Sequence, residues 1–258
     1  MASDNSMTDR DQLGVSRPSR FWENFQTIAY ALVIALVIRA FLFQPFNIPS
    51  GSMLSTLLVG DYLFVSKYAY GYSRHSFPFS FPPFEGRFLA SEPERGDIVV
   101  FKLPSDNRTD YIKRLMGLPG DHIQVKHGIV YLNGRALERE KIDDYVDRDA
   151  FGNVIRMPRY RETLPSGVSY TVLDTQRDGV SDNTGVYVVP AGHYFMMGDN
   201  RDNSTDSRVP SAVGYVPYEN LVGRAELLFF STDSSARLWE FWRWPQAIRW
   251  SRFFNVVH

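Results

Sequence analysis

Three places in this 258-residue chain carry groups that could do chemistry. The first is Pro49-Ser50-Gly51-Ser52-Met53, where a glycine between two serines permits the sharp backbone geometry and close approach that a presented serine nucleophile requires. Pro, Ser and Gly are also the commonest loop residues, so the run alone reads as well as a linker. A serine needs a base. The five histidines (His75, His122, His127, His193 and His258) lie in no triad context, and neither a G-x-S-x-G elbow nor an H-E-x-x-H motif occurs. Lysine is the remaining candidate. In Tyr111-Ile-Lys-Arg-Leu-Met116, strand alternation sets Lys113 on the face of Tyr111 and Leu115, so an ammonium shares an apolar face unless the strand lies at a surface edge. To act as a base near neutrality a lysine must fall from about 10.4 to about 7 to 8, a shift worth roughly 4 kcal/mol, and desolvation drives it that way. Arginine could not replace it, because guanidinium keeps its proton.

The third place is Gly198-Asp-Asn-Arg-Asp-Asn-Ser-Thr-Asp-Ser-Arg208, directly after the apolar run His193 to Met197. It reads as an Asx-rich turn or as a polar network that orients another group. Asp206 and Arg208 could pair, and Ser204 could donate or accept.

These residues need a scaffold. Ile28 to Phe43 contains one charge, Arg39, and counted from Phe21 the segment is about 23 residues, roughly 34 Å as a helix, enough to span a bilayer. No small-residue cleavage site follows it, so an uncleaved anchor is expected over 21–43. Arg10, Arg17 and Arg20 precede it in a polar tail, 1–20, which predicts a cytoplasmic N-terminus and an extracytoplasmic remainder. Beyond residue 44 the pattern turns to short β-branched and aromatic runs. Asp97–Lys102, Tyr111–Met116, His122–Val125, Ile129–Leu132, Val168–Leu173, Val186–Val189, His193–Met197 and Leu221–Phe230 are expected strands, with Asn133-Gly134 as a hairpin turn. The expected fold is therefore mainly β, with a catalytic domain over 44–132 and 186–232 and a polar inserted cap subdomain over 133–185. The last segment, 233–258, holds four of the five Trp together with four Arg, the composition of an interfacial membrane segment.

Composition removes several classes of function. Lys+Arg 28 against Asp+Glu 29 leaves no basic footprint for nucleic acid. The absence of Cys excludes disulfide scaffolds, thiolate metal sites and cysteine nucleophiles.

Taken in order, Ile48-Pro-Ser-Gly-Ser-Met53 with Thr56-Leu57, Gly60-Asp61-Tyr62, Arg95 to Phe101, Tyr111 to Arg114 with Gly117-Leu-Pro-Gly-Asp121, and Gly198 to Arg208 resemble the bacterial type I signal peptidases, over roughly residues 25 to 230. LexA-like serine-lysine autoproteases share part of the pattern without the anchor. The resemblance implies a signal-peptidase/LexA-like β-fold in which Ser52 is the nucleophile and Lys113 the general base. Ser50 and the Ser52 N–H would form the oxyanion hole, Ser204 would orient the lysine, and Asp206 with Arg208 would support that loop. Phe46, Ile48, Pro49, Met53, Leu57, Leu63, Val100, Tyr111 and Ile112 would line the substrate pockets. The implied partners are preprotein signal peptides, the phospholipid bilayer and the secretion translocon, at the inner (plasma) membrane, with no metal or organic cofactor and no nucleic acid. Ser55 stands where the family usually has Pro.

Overall fold

The computed structural model describes residues 20–77, 80–81, 83–148, 152–176, 178–233, 235–236 and 239–257. The expected N-terminal tail lies almost wholly outside them. The first element, α1 (Arg20–Phe41), is a 22-residue helix with no buried residue, long and apolar enough to cross a membrane. It stops two residues short of the expected anchor end, because Phe43 already belongs to a strand.

From Arg39 onward the chain forms one unit built of sheets. The largest has seven strands in the order β1 (Phe43–Asn47), β2 (Asp61–Ser66), β16 (Leu221–Ser231), β5 (Ile98–Lys102), β6 (Asp110–Gly117), β14 (His193–Met197) and β15 (Val216–Pro217). A four-stranded sheet joins β13 (Tyr187–Val188), β7 (His122–Lys126), β8 (Ile129–Leu132) and β9 (Arg135–Ala136). The β8–β9 turn is Asn133-Gly134, both at positive φ, the geometry that lets a two-residue hairpin follow strand twist. A short pair joins β3 (Tyr72–Ser73) and β4 (Arg87–Phe88).

The polar 133–185 stretch folds more regularly than its composition suggests. A three-stranded sheet of β10 (Glu138–Arg148), β11 (Val154–Thr163) and β12 (Ser169–Leu173) occupies most of it. The long β10–β11 hairpin keeps most of its charges on exposed faces, as in the Arg161–Glu140 pair at 3.1 Å, with Glu162 a buried exception, and so shows no apolar alternation. Leu137, Leu164, Tyr170 and Val172 from this stretch are buried in one cluster with Met116, Ile123, Val125, Phe195 and Met197.

A second buried cluster collects Ile48, Met53, Leu57, Leu63 and Val100, with Phe46 and Ile112 packed against it. Between β1 and β6 the sheet order interposes β2, β16 and β5, so the sheet must curl for the loop after β1 to meet β6. It does so through that cluster.

Candidate active site

Ser52 sits in a single 3-10 turn, Gly51–Met53, five residues after β1. Asn200 fixes the turn from the other side: its N–H donates to Ser52 O at 3.1 Å and its Nδ2 to Gly51 O at 3.0 Å. Gly198 explains how the two loops come so close. A Cβ there would overlap the Ser204 side chain and the Ser52 carbonyl.

Lys113 lies on β6, paired on one side with Val99 of β5, while β14 lies on the other. It is therefore an interior lysine, 3% exposed, rather than one on a surface edge. Its Nζ donates to Ser52 Oγ at 2.6 Å and to Ile112 O at 3.0 Å, and lies 5.4 Å from the Tyr111 ring, on the face that strand alternation gave it. Ser50 Oγ is 3.4 Å from Ser52 Oγ, on an exposed residue at the mouth of the site.

Burial lowers the Lys113 amine from its ordinary 10.5 to about 8, against the opposing fields of Asp206 and Asp199. Those fields are weak for a structural reason. Each buried carboxylate nearby has its own guanidinium: Asp206 accepts from Arg208 at 2.9 and 2.9 Å, Asp199 from Arg114 at 2.9 and 2.8 Å, and Glu162 from Arg201 at 2.8 and 2.5 Å. Pairing spends the negative charge locally, and the amine keeps a hydroxyl and a carbonyl as its partners. Burial alone would raise the Asp206 carboxyl, but Arg208 and the Gly198 N–H at 2.9 Å outweigh it and hold the group below the usual carboxylate range.

The Ser204 hydroxyl oxygen is buried against Gly198, without a well-formed hydrogen bond of its own, and close enough to Asp206 to favour its charged form. It is not among the hydrogen-bond partners of Lys113. Of the expected pocket residues, Ile48, Met53, Leu57, Leu63 and Val100 are buried together, Phe46 and Ile112 border them, Pro49 is exposed, and Tyr111 packs instead beside Phe101. Ser55 Oγ meets Thr171 Oγ1 of β12 at 2.6 Å, so a side-chain hydrogen bond holds the segment where proline would restrict it.

Sequence reasoning missed several members of this site. Thr56 Oγ1 donates to Asp199 Oδ2 at 2.5 Å, which links the loop after Ser52 to Arg114 and hence to β6. Asp199 and Asn200 were visible as part of a polar run, but nothing in that run ranked them above Asp206. Glu162 was hidden, because it lies in the polar insertion and its partner Arg201 is 39 residues away.

The family described as Signal peptidase, peptidase S26, matches residues 21–230, and the chain belongs to it. It is similar to Signal peptidase I of Rickettsia typhi, 41% identical over 253 residues covering 92% of this chain and 94% of that protein. Signal peptidase I of Rickettsia prowazekii is 39% identical over 270 residues, covering 97% and 98%. A signal peptidase I of known crystal structure, from Enterococcus faecalis, is 28% identical with a TM-score of 0.30, covering 52% of this chain and 97% of that one. The chain is thus a peptidase, a hydrolase of the signal peptidase I type.

Proposed function

We propose that the chain is a membrane-anchored endopeptidase that removes N-terminal signal peptides from exported preproteins after small residues, with Ser52 as nucleophile and Lys113 as general base. The family supports signal-peptide cleavage. The observation that carries the finer reading is the 2.6 Å contact between Ser52 Oγ and a lysine amine lowered to about 8 by burial.

In its neutral form Lys113 accepts the Ser52 proton as Oγ attacks the scissile carbonyl carbon. The oxyanion is met by the Ser50 hydroxyl and the Ser52 N–H, each donor supplying a few kcal/mol. Collapse of the tetrahedral intermediate breaks the C–N bond, and Lys113 returns the proton to the departing amine of the mature protein. Water, deprotonated by the same lysine, then attacks the acyl-enzyme; the signal peptide leaves as a carboxylic acid and Ser52 regains its proton. Asp206 and Arg208 hold the 198–208 loop, and Ser204 steadies the amine once Ser52 has reacted. The steps need only groups of this chain and water.

The apolar cluster around Met53 and Leu57 receives the small side chains before the cut. α1 is the single anchor, with its N-terminus cytoplasmic and the catalytic unit on the extracytoplasmic side of the inner membrane, where the translocon delivers preproteins. Exposed Trp239, Phe241, Trp242, Trp250 and Phe254 meet the bilayer. Preprotein cleavage in detergent tests the reading: substrates with Ala immediately before the cut should be processed much faster than those with Leu, because a fixed wall discriminates by about 1 to 3 kcal/mol per methylene. Equal rates for Ala and Leu refute the pocket.

A further inference from the structure

The family match ends at residue 230, near the end of β16, and the chain after it turns back along that strand. β16 pairs with β5 over Leu221–Arg224 and with β2 over Arg224–Ser231, so its second half has a side that β2 does not cover. Residues 248–257 cover it. Phe254 N donates to Leu228 O at 2.8 Å, Leu228 N to Asn255 O at 2.9 Å, Val257 N to Glu226 O at 2.9 Å and Arg249 N to Ser231 O at 3.0 Å.

From this strip two arginines reach the loop between Ser52 and β2. Arg249 Nη1 donates to Val59 O at 2.9 Å. Arg252 donates to Thr56 O at 3.0 Å and to both oxygens of Asp61, at 3.0 and 2.6 Å. Asp61 is fully buried and also accepts from Leu58 N at 2.8 Å and Ser231 Oγ at 2.6 Å. Thr56 is thereby held from two directions, through its hydroxyl by Asp199 and through its carbonyl by Arg252. Its neighbour Leu57 is fully buried beside Met53, and Val257 packs on the same cluster.

We propose that residues 248–257 form part of the substrate cleft and that Arg252 is a positioning residue that sets the Met53–Leu57 wall, and with it the size limit for the substrate side chain. The inference rests on the reading of that cluster as the cleft. Without the Arg252 guanidinium, buried Asp61 keeps only the more distant Arg249, at 4.0 Å, as a counter-charge, and the 56–61 loop shifts to bring it closer to that cation or to water. Leu57 shifts with the loop. A displaced wall holds the substrate side chain less well, which raises KM, and it discriminates less between small side chains. The Ser52–Lys113 pair is held by Asn200 and β6, so its titration stays where it is.

The test uses the full chain in detergent with two peptide substrates, carrying Ala or Val immediately before the cut. Arg252→Met is expected to lower kcat/KM for the Ala substrate about tenfold or more, chiefly through KM, to narrow the Ala-to-Val ratio, and to leave the midpoint of the pH–rate profile unmoved. Arg252→Lys, which keeps the charge but lacks the planar fork that reaches Thr56 O and both Asp61 oxygens, should fall between; it carries the test if the Met variant does not fold. A wild-type KM and Ala-to-Val ratio in the folded variants overturns the proposal, and so does a shifted pH midpoint with an unchanged ratio. Leu57→Ala separates the two readings. If it relaxes the ratio while the Arg252 variants do not, the positioning role alone fails; if it too leaves the ratio unchanged, the cleft reading fails.

Discussion

Lys67 and Lys113 are both buried, at 1% and 3% exposure, and both amines are lowered to about 8. Burial is the largest cause for each. They differ in what they touch. Lys67 Nζ donates to Arg39 O at 2.9 Å and to Ser76 O, two carbonyls with no proton to surrender. Lys113 Nζ meets one carbonyl and one hydroxyl, Ser52 Oγ. Their fields differ as well: Arg39 and Lys102 push Lys67 further down against an opposing Asp110, whereas only Asp206 and Asp199 act on Lys113, and both draw it back up. A lowered lysine therefore marks burial, and only the acceptor set distinguishes a base from a structural clamp. Lys67 is the clamp, tying the last turn of α1, whose carbonyls lack helical partners, to the turn at Arg74–Ser76.

Activity should separate the two lysines most strongly. Ser52→Ala and Lys113→Arg should each lower kcat/KM by at least about a thousandfold, because the nucleophile or an ionisable base is gone. Lys67→Met, if folded, should stay within roughly threefold of wild type, as measured by preprotein cleavage at saturating detergent. Retention of more than about 5% of activity in Lys113→Arg would erase the distinction, since guanidinium cannot accept the proton.

Stability should separate them by a smaller amount. The fall of Lys113 from 10.5 to about 8 means the folded state holds the charged amine at a cost of roughly 3 kcal/mol. The cost is complete below pH 8, where folded and unfolded chains are both protonated, and disappears as pH rises from 8 to 10.5. Lys113→Met should therefore be more stable than wild type by about 1 to 3 kcal/mol at pH 7, with the advantage fading above pH 8. Lys67→Met also removes an amine lowered by burial, but it strips the donor from a helix-end carbonyl and a turn carbonyl, so its gain at the same pH should be smaller than that of Lys113→Met by about 1 kcal/mol or more. Denaturant midpoints of the two variants beside wild type measure both.

What could be read in advance followed local pattern. Ile129–Leu132 and its Asn-Gly turn, and His193–Met197, appear in the structure at the expected residues, because alternation and turn chemistry act over a few positions. The same logic set Lys113 beside Tyr111. β10 and β11 escaped notice because most of their charges face solvent and a fully buried charge, Glu162, breaks any apolar alternation, and β1 and β2 because Pro45 and mixed polarity blur a short edge pairing. The ion-pair shell was the least legible part. Arg201 and Glu162, or Arg252 and Asp61, meet across 39 and 191 residues, and only sheet curvature brings them together.

The central claim is that the neutral Lys113 amine takes the Ser52 proton. The chain contains no cysteine, so Lys113→Cys creates a single thiol that a haloethylamine converts to a lysine analogue with sulfur in the side chain and a less basic amine. Wild-type kcat/KM should rise with pH to a plateau with a midpoint near 8, the value to which burial lowers the amine. The Cys variant should be inactive, and alkylation should restore cleavage with the midpoint displaced to lower pH. Restored cleavage with an unmoved midpoint, or no restoration in a folded and fully alkylated protein, would contradict the assignment.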